Sequence, residues 1–394
     1  MRVDVEGTKA AARGRIEQHT GELIALSHRI HANPELGFQE EQACAWLAET
    51  MDAAGFTVER GVAELPTAFK ATIGSGPLHI AVCAEYDALP SVGHACGHNI
   101  IAASAAGAGM GLAALADDLG LTVTVMGTPA EEGGGGKLLL LDRGAFDGVH
   151  AAMMMHPSPY ESPAMPIIAV QQFKVTYTGK EAHASAYPEL GINAADALVV
   201  AQTAIGLLRQ HLRPTDRVHG IVTKGGDAPN IIPAHTTADF MARAATLDEL
   251  GEVVAKVEAC FEAGAVATGC SLEMVPDHAP YSEMRHDPDL VRLYQANAEG
   301  LGRVFPGPDE GPKRGAGSTD MGNVSLAIPS IHPTMAIDAL PAVNHQPEFT
   351  AACITASADK AVLDGAIAMA WTAIDAAADD TVRERLLSGP HPGA

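Results

Sequence analysis

Short apolar runs bounded by glycine and proline recur through the first 155 residues, near 68–73, 78–84, 121–126 and 150–155. Runs of that length between turn formers predict buried strands. Between and before them, apolar positions fall at helical spacing over 8–30, over 41–54 where Gly55-Phe56 stops the pattern, over 98–117 and over 136–144. Strand alternating with helix predicts an α/β fold with a doubly wound mixed sheet. Near residue 167 the texture changes: Ile167 to Tyr177 alternates like a half-buried strand. A helix over 194–209, strands near 218–223 and 235–242, a helix over 247–268 and a strand at 271–275 come next. That β-α-β-β-α-β order predicts a ferredoxin-like insert. The expected division is 1–166 for the first part of one domain, 167–281 for the insert and 282–394 for the second part.

Three of the expected strands end on residues with chemistry. Val82-Cys83-Ala84 leads into Glu85-Tyr86-Asp87, Leu121 to Met126 leads into Thr128-Pro129-Ala130-Glu131-Glu132, and Ala151 to Met155 leads into His156-Pro157. Open α/β sheets gather ligands at the carboxyl ends of their strands, so these acids and His156 are directed to one edge. Cys96-Gly97-His98 lies in a run of small, turn-forming residues and offers a thiolate and an imidazole two positions apart, both strong donors for zinc-like ions. Singly, a buried cysteine, a solvated glutamate or a loop histidine has an ordinary structural explanation. Their joint occurrence at consecutive strand ends points to a metal centre.

With these residues in view, the chain resembles the di-metal amidohydrolases and exopeptidases that include aminoacylase, glutamate carboxypeptidase, hippurate hydrolase and the auxin-conjugate hydrolases. The resemblance spans nearly the whole chain. His31-Ala32-Asn33-Pro34-Glu35-Leu36-Gly37-Phe38-Gln39-Glu40 is similar to the family's opening segment; the Cys-Gly-His turn, the Glu-Glu pair, His156 and Asn344-His345 come after it in family order. Glu85-Tyr86-Asp87-Ala88-Leu89-Pro90, Gly93-His94-Ala95-Cys96-Gly97-His98-Asn99 and Gly317-Ser318-Thr319-Asp320-Met321 look most like the aminobenzoyl-glutamate hydrolase branch and related dipeptidases. The hippurate and auxin-conjugate branch usually carries Asp-Met-Asp in place of Glu85-Tyr86-Asp87.

The resemblance implies two divalent metal ions per subunit, with Cys96 shared between them and His98, Glu132, His156 and His345 in the remaining positions. Zinc or manganese is the expected metal, with cobalt or nickel as alternatives. It implies Glu131 as general base for the attacking water, the alternative being a hydrogen-bonding role beside the ligands, and Asp87 as a residue that orients a ligand. In the insert, His183 of Gly179-Lys180-Glu181-Ala182-His183-Ala184-Ser185 resembles a histidine that reaches the partner subunit's site and stabilises an oxyanion. Asn230 and Arg243 resemble a clamp for the substrate carboxylate, a role suited to the planar guanidinium. The insert itself resembles a lid that also forms the interface of a homodimer. The reaction implied is hydrolysis of an N-acyl or N-aroyl amino acid of aminobenzoyl-glutamate type, at the amide next to a free carboxylate. A dipeptidase for small unusual dipeptides and a non-catalytic metal-bound ligand sensor are the rival readings.

Composition narrows the partners. Of 394 residues, 25 are basic and 48 acidic, a formal charge of −23, which argues against nucleic acid and anionic membranes as partners. A carboxylate substrate would need local positive charge against that background, from metals and an arginine. No apolar run is expected to span a membrane, and Met1-Arg2-Val3-Asp4-Val5-Glu6 lacks the apolar core of a signal peptide. Six cysteines without framework spacing fit a reducing compartment, so the expectation is cytoplasmic. Gly133 to Gly136 lacks the Lys-Ser/Thr of a phosphate loop.

Overall fold

A computed structural model describes residues 4–306 and 317–389, so Met1-Arg2-Val3 of the amino-terminal segment lie outside the described residues. Its strands are β1 (Thr57–Arg60), β2 (Phe69–Ile73), β3 (Leu78–Ala84), β4 (Leu121–Gly127), β5 (Ala151–Met153), β6 (His156–Ser158), β7 (Ala169–Thr178), β8 (Arg217–Lys224), β9 (His235–Ala244), β10 (Ser271–Pro276), β11 (Ser330–Ile331) and β12 (Thr334–Ala336). The chain divides into two compact units, residues 1–166 with 284–394 and residues 167–283, so the insert ends two residues later than expected.

In the first unit six strands form one sheet in the order β1-β2-β4-β3-β5-β11. β4, β3, β5 and β11 are mutually parallel, while β1 and β2 add antiparallel at one edge. Alternation along β3 shows why its apolar run is unbroken. Ile80 and Val82 join the core packed by the helices Val5–Gln18, Thr20–Ala32, Glu41–Ala53, His98–Leu112 and Ala356–Ala378, while Ala81 and Cys83 join a second core with Leu140, Met321 and Val324. A strand covered on both faces gains from apolar residues at every position, each fully buried isoleucine or leucine contributing roughly 1.5–3 kcal/mol. β6 and β12 form a small separate parallel pair with Thr334 opposite His156.

The helix His98–Leu112 is buried along its whole length, which its alanines and glycines permit. A Cβ at Gly107 would stand 2.9 Å from both Ala366 Cβ and Leu23 Cδ1, so the helix Ala356–Ala378 packs against it only because that position is bare. Ala356–Ala378 is, by length and composition, apolar enough to cross a membrane, contrary to the expectation that no such run exists, yet most of it is buried inside this unit. The helical pattern over 8–30 resolves into two helices that part at His19. There the Thr20 hydroxyl donates to the Glu17 carbonyl (2.8 Å), a local bond that competes with the helical ladder. The pattern over 98–117 likewise ends at Leu112, and the short helix Ala116–Leu119 comes after it.

The second unit has a four-stranded antiparallel sheet, β10-β7-β9-β8, covered by the helices Ala194–Leu208 and Leu247–Thr268. That is the ferredoxin-like order the sequence predicts. Phe173, Phe240 and Phe261 form its aromatic centre, with ring centroids 5.0–6.3 Å apart.

Candidate metal centre

β3, β4 and β5 run parallel, so their carboxyl ends share one edge of the sheet, and the loops leaving those ends converge there. Gly97 makes the sharpest contribution. It holds φ +77°, and a Cβ on it would lie 2.4 Å from Pro157 Cγ and 3.3 Å from Cys353 Sγ. Only glycine fits both the left-handed backbone and the close approach. This turn brings Cys96 beside the next helix, whose first residue is His98.

Cys96 Sγ stands 3.7 Å from His156 Nε2 and 3.6 Å from His345 Nε2. His345 comes from a loop far along the chain. Its left-handed backbone (φ 70°) is pinned by its N–H donating to the Ala95 carbonyl at 2.9 Å. His345 Nε2 lies 3.7 Å from Glu132 Oε2, and His98 Nε2 lies 3.8 Å from Glu132 Oε1. Among the described residues three donor groups result, each with its atoms within 4.8 Å of one another: Cys96 with His98 and His156, Cys96 with Glu132 and His345, and Glu85 with His98 and Glu131. Cys96 belongs to the first two. All five residues that the sequence singles out as ligands are therefore brought together.

The donors suit a cation. An ion about 2.3 Å from a thiolate sulfur and about 2.1 Å from an imidazole nitrogen sees donors 3.6–3.7 Å apart at roughly 110–114°, near the tetrahedral angle. Glu132 Oε1 and His98 Nε2 are buried without hydrogen-bond partners, a costly state that a bound ion relieves. Hydrogen bonds also orient the rings. His98 Nδ1 is 2.9 Å from Asp87 Oδ1, and His156 Nδ1 is 2.7 Å from the Pro157 carbonyl, so in each ring Nε2 is the nitrogen turned to the donor group. Burial works to lower the His98 pKa, but Asp87 and Glu85 outweigh it and hold the ring well above an ordinary histidine's, so an ion would take the place of a proton there. Asp87 also accepts the Glu132 N–H on Oδ2 at 2.9 Å, so one buried carboxylate steadies parts of both Cys96 donor groups. Burial works to raise the pKa of Asp87, but the His98 ring and the Glu132 amide outweigh it and hold the carboxyl below its usual range.

Electrostatics complete the fit. Burial, reinforced by Glu132, pushes the Cys96 thiol well above its ordinary pKa, so among these acids the thiolate needs a cation. Burial pulls His156 down to about 4, which keeps it a neutral donor. Glu131 is buried 3.9 Å from His98 Nε2, just after Ala130 in a left-handed conformation (φ 58°). Burial first, then the charges of Glu85, Glu132 and Asp320, raise its pKa well above that of an ordinary glutamate. A carboxyl poised in this way beside a ligand, and outside both Cys96 donor groups, is suited to proton transfer.

Some partners of the centre have no signal in the sequence pattern. Glu40, fully buried, accepts the Ala130 N–H at 2.8 Å and fixes the turn that presents Glu131. Lys137 lies buried in an ion cluster, its Nζ donating to Glu85 and to Asp320 Oδ1 (2.6 Å) and its backbone N–H to Asp320 Oδ2 (2.9 Å). His332 is buried with its ring tilted against His156 at 5.4 Å. Each reads in sequence as a polar residue in a loop or helix start; only the tertiary neighbours single it out.

His183, Asn230 and Arg243 stand on the second unit. His183 bridges Ile231 as an isolated β-pair, and the Ala184 N–H donates to the Asn230 carbonyl at 3.0 Å, so His183 and Asn230 are neighbours. His183 Nδ1 accepts the Ala186 N–H (3.3 Å) and the Ser185 N–H (3.4 Å), which leaves Nε2 as the proton-bearing nitrogen. Arg243 lies near the far end of β9, paired with Val170 and Arg217. At about 3.3 Å per residue the length of β9 separates it from the Asn230 segment. Asn230 and Arg243 of one chain therefore stand at opposite ends of β9.

Comparison with known proteins places the whole chain rather than its single residues. Residues 170–268 match a peptidase dimerisation domain. Over 387 residues the chain is 39% identical to Xaa-Arg dipeptidase of Mus musculus, covering 94% of this chain and 89% of that protein. It is 31% identical to one subunit of the p-aminobenzoyl-glutamate hydrolase of Escherichia coli, covering 71% of this chain and 63% of that protein. A dinuclear metal-binding peptidase of the M20 family from Bacillus subtilis superposes with a TM-score of 0.69 at 22% identity, covering 91% of this chain and 98% of that one.

Proposed function

Because the chain belongs to the M20 family of metal-dependent peptidases and amidohydrolases, we propose that it is a dinuclear exopeptidase that splits dipeptides at the amide next to a free carboxylate. The observation that carries this reading is the meeting of Cys96, His98, Glu132, His156 and His345, with Glu131 beside them. Two divalent cations held by those five residues would supply a polarised carbonyl and an easily deprotonated water. Glu131 takes the proton of the attacking water and returns it to the departing nitrogen. Asp87 keeps His98 and Glu132 in register throughout. The family resemblance gives the partner subunit's His183 the oxyanion, through Nε2–H, and Asn230 and Arg243 the substrate carboxylate.

A non-catalytic sensor has no use for the proton-transfer group that Glu131 provides. Among substrates, dipeptides with a carboxyl-terminal basic residue take precedence, because the relative matched over nearly its full length is named for Xaa-Arg dipeptides. Aminobenzoyl-glutamate is the second reading, supported by the Escherichia coli relative and by the residues around Asp87. A panel of Xaa-Arg, Xaa-Lys and Xaa-Glu dipeptides against 4-aminobenzoyl-glutamate, with zinc or manganese supplied, ranks the two by kcat/KM. The proton-transfer role is tested by Glu131→Gln: turnover falls by about 100-fold or more while metal stays bound. Unchanged turnover rejects it.

A further inference from the structure

The opening segment that runs into the helix Glu41–Ala53 is fastened to the surroundings of the centre at both ends. The Glu35 carboxylate accepts the N–H groups of Gln42 and Ala43 at 3.0 Å, and the Glu35 carbonyl accepts the Ala88 N–H at 2.8 Å, one residue past Asp87. At the other end Glu40 holds the Ala130 N–H. Between these anchors the segment packs on the 130–135 turn, which the Gly135 N–H closes by donating to the Ala130 carbonyl at 3.1 Å. A Cβ on Gly37 would stand 2.9 Å from Ala130 Cβ and 3.2 Å from the Gly133 carbonyl oxygen. Phe38 lies against the same turn: a Cβ on Gly134 would run into the edge of its ring, with Cζ 3.0 Å away. The backbone of Phe38 is left-handed (φ 62°), as is that of Ala130 (φ 58°), a state that costs free energy for any residue but glycine. The Phe38 side chain is 40% exposed, so its own burial does not account for that conformation. What the conformation achieves is contact with the turn that carries Glu131 and Glu132.

We propose that Phe38 is a positioning residue for Glu131: seated on Gly134, its ring clamps the 130–135 turn to the opening segment and fixes where the proton-transfer carboxyl stands. The proposal rests on the dinuclear exopeptidase reading above. Glu131 lies between two independent fastenings. On one side Asp87 accepts the Glu132 N–H; on the other Glu40 accepts the Ala130 N–H, with Gly37 and Phe38 packed beside it. Removing the ring loosens the Ala130 side alone. Glu132 then keeps its hold on Asp87 and its place with Cys96 and His345, while Glu131 gains freedom. A proton-transfer group tolerates little displacement, since about 1 Å of misplacement is enough to lose on the order of 100-fold in rate. Binding of ions and of substrate does not pass through Glu131, so the effect falls on kcat.

The test uses the full-length protein, a dipeptide with carboxyl-terminal arginine, and zinc titration after stripping with chelator. Phe38→Ala lowers kcat by about tenfold or more and leaves KM within about twofold of wild type. Its zinc affinity stays as in wild type. Phe38→Tyr keeps the ring and brings kcat back to the wild-type level. Partial unfolding would not produce this split, because it lowers zinc content and kcat in the same proportion. Gly134→Ala reaches the same contact from the other side, driving a Cβ into an unchanged Phe38 ring, and gives the same split; it decides the matter if Phe38→Ala does not fold. Unchanged kcat, zinc affinity that falls together with kcat, or a Phe38→Tyr chain as slow as Phe38→Ala each overturns the proposal and leaves the dinuclear reading standing. If wild type itself binds fewer than two ions or cleaves no dipeptide, that reading fails and takes the proposal with it.

Discussion

Single carboxylates set the behaviour of this centre, and each is distinguished by what it touches. Glu131 and Glu132 are adjacent in sequence, yet Glu132 shares a donor group with Cys96 and His345 while Glu131 stands beside His98 outside that group. Glu40 controls neither directly; it holds the backbone N–H of Ala130. Burial first, and the neighbouring charge of Asp87 second, raise Glu40 to about 7 from an ordinary value of 4.5. The sign comes from linkage: the folded state favours the protonated form, so its contribution to stability is intact below pH 4.5, declines as the pH rises and is lost above about 7. Glu40→Gln keeps an oxygen for Ala130 and removes the titration. Denaturant unfolding at pH 4.5 and pH 8 should show a smaller loss of stability between the two in the variant; an equal loss rules out Glu40 as its source.

At the scale of elements, legibility depended on how local the signal was. β3, β4 and the helix Leu247–Thr268 were readable because the strands are mostly apolar runs between turn formers and the helix has a clear helical period, and burial tracks the same pattern. β6, β11 and β12 were not, being two or three residues long and set by pairing with distant strands rather than by their own pattern. The site shows the same split. Glu131, Glu132 and His156 are deducible from strand ends, whereas His345 is deducible from family order alone, and Lys137 and Asp320 find their meaning only in each other. The strand near 235–242 was itself legible, and it is β9 that sets Asn230 and Arg243 apart within one chain. The turn at Gly97 carries an element-scale prediction. Gly97→Ala meets Pro157 and strains a left-handed backbone, so it should destabilise the fold by about 1–3 kcal/mol and weaken zinc binding, because Cys96 and His98 cannot both hold position. Thermal unfolding of chelator-treated protein separates the first effect from the second, and zinc affinity equal to wild type contradicts the link.

For the whole molecule, the chain carries a dimerisation domain of its own family, in the unit that also carries His183. If His183 serves the opposite subunit, two dead variants rescue each other. In a mixture of Glu131→Gln and His183→Ala chains refolded together, half of the dimers are mixed and each holds one intact site, giving about a quarter of wild-type activity. A mixture that stays as inactive as its components places His183 in its own subunit's site. The formal charge of −23 adds a further requirement: the positive charge that receives a substrate carboxylate has to be local, since the surface as a whole repels it.

Asp87 grips the His98 ring with one oxygen and the Glu132 amide with the other, so the two halves of the centre share a fastening. The arrival of one ion steadies that fastening and leaves less disorder to be removed when the second arrives. On the dinuclear reading proposed above, loading is expected to be cooperative: a metal titration should show few chains holding a single ion, and two independent binding steps would contradict the link.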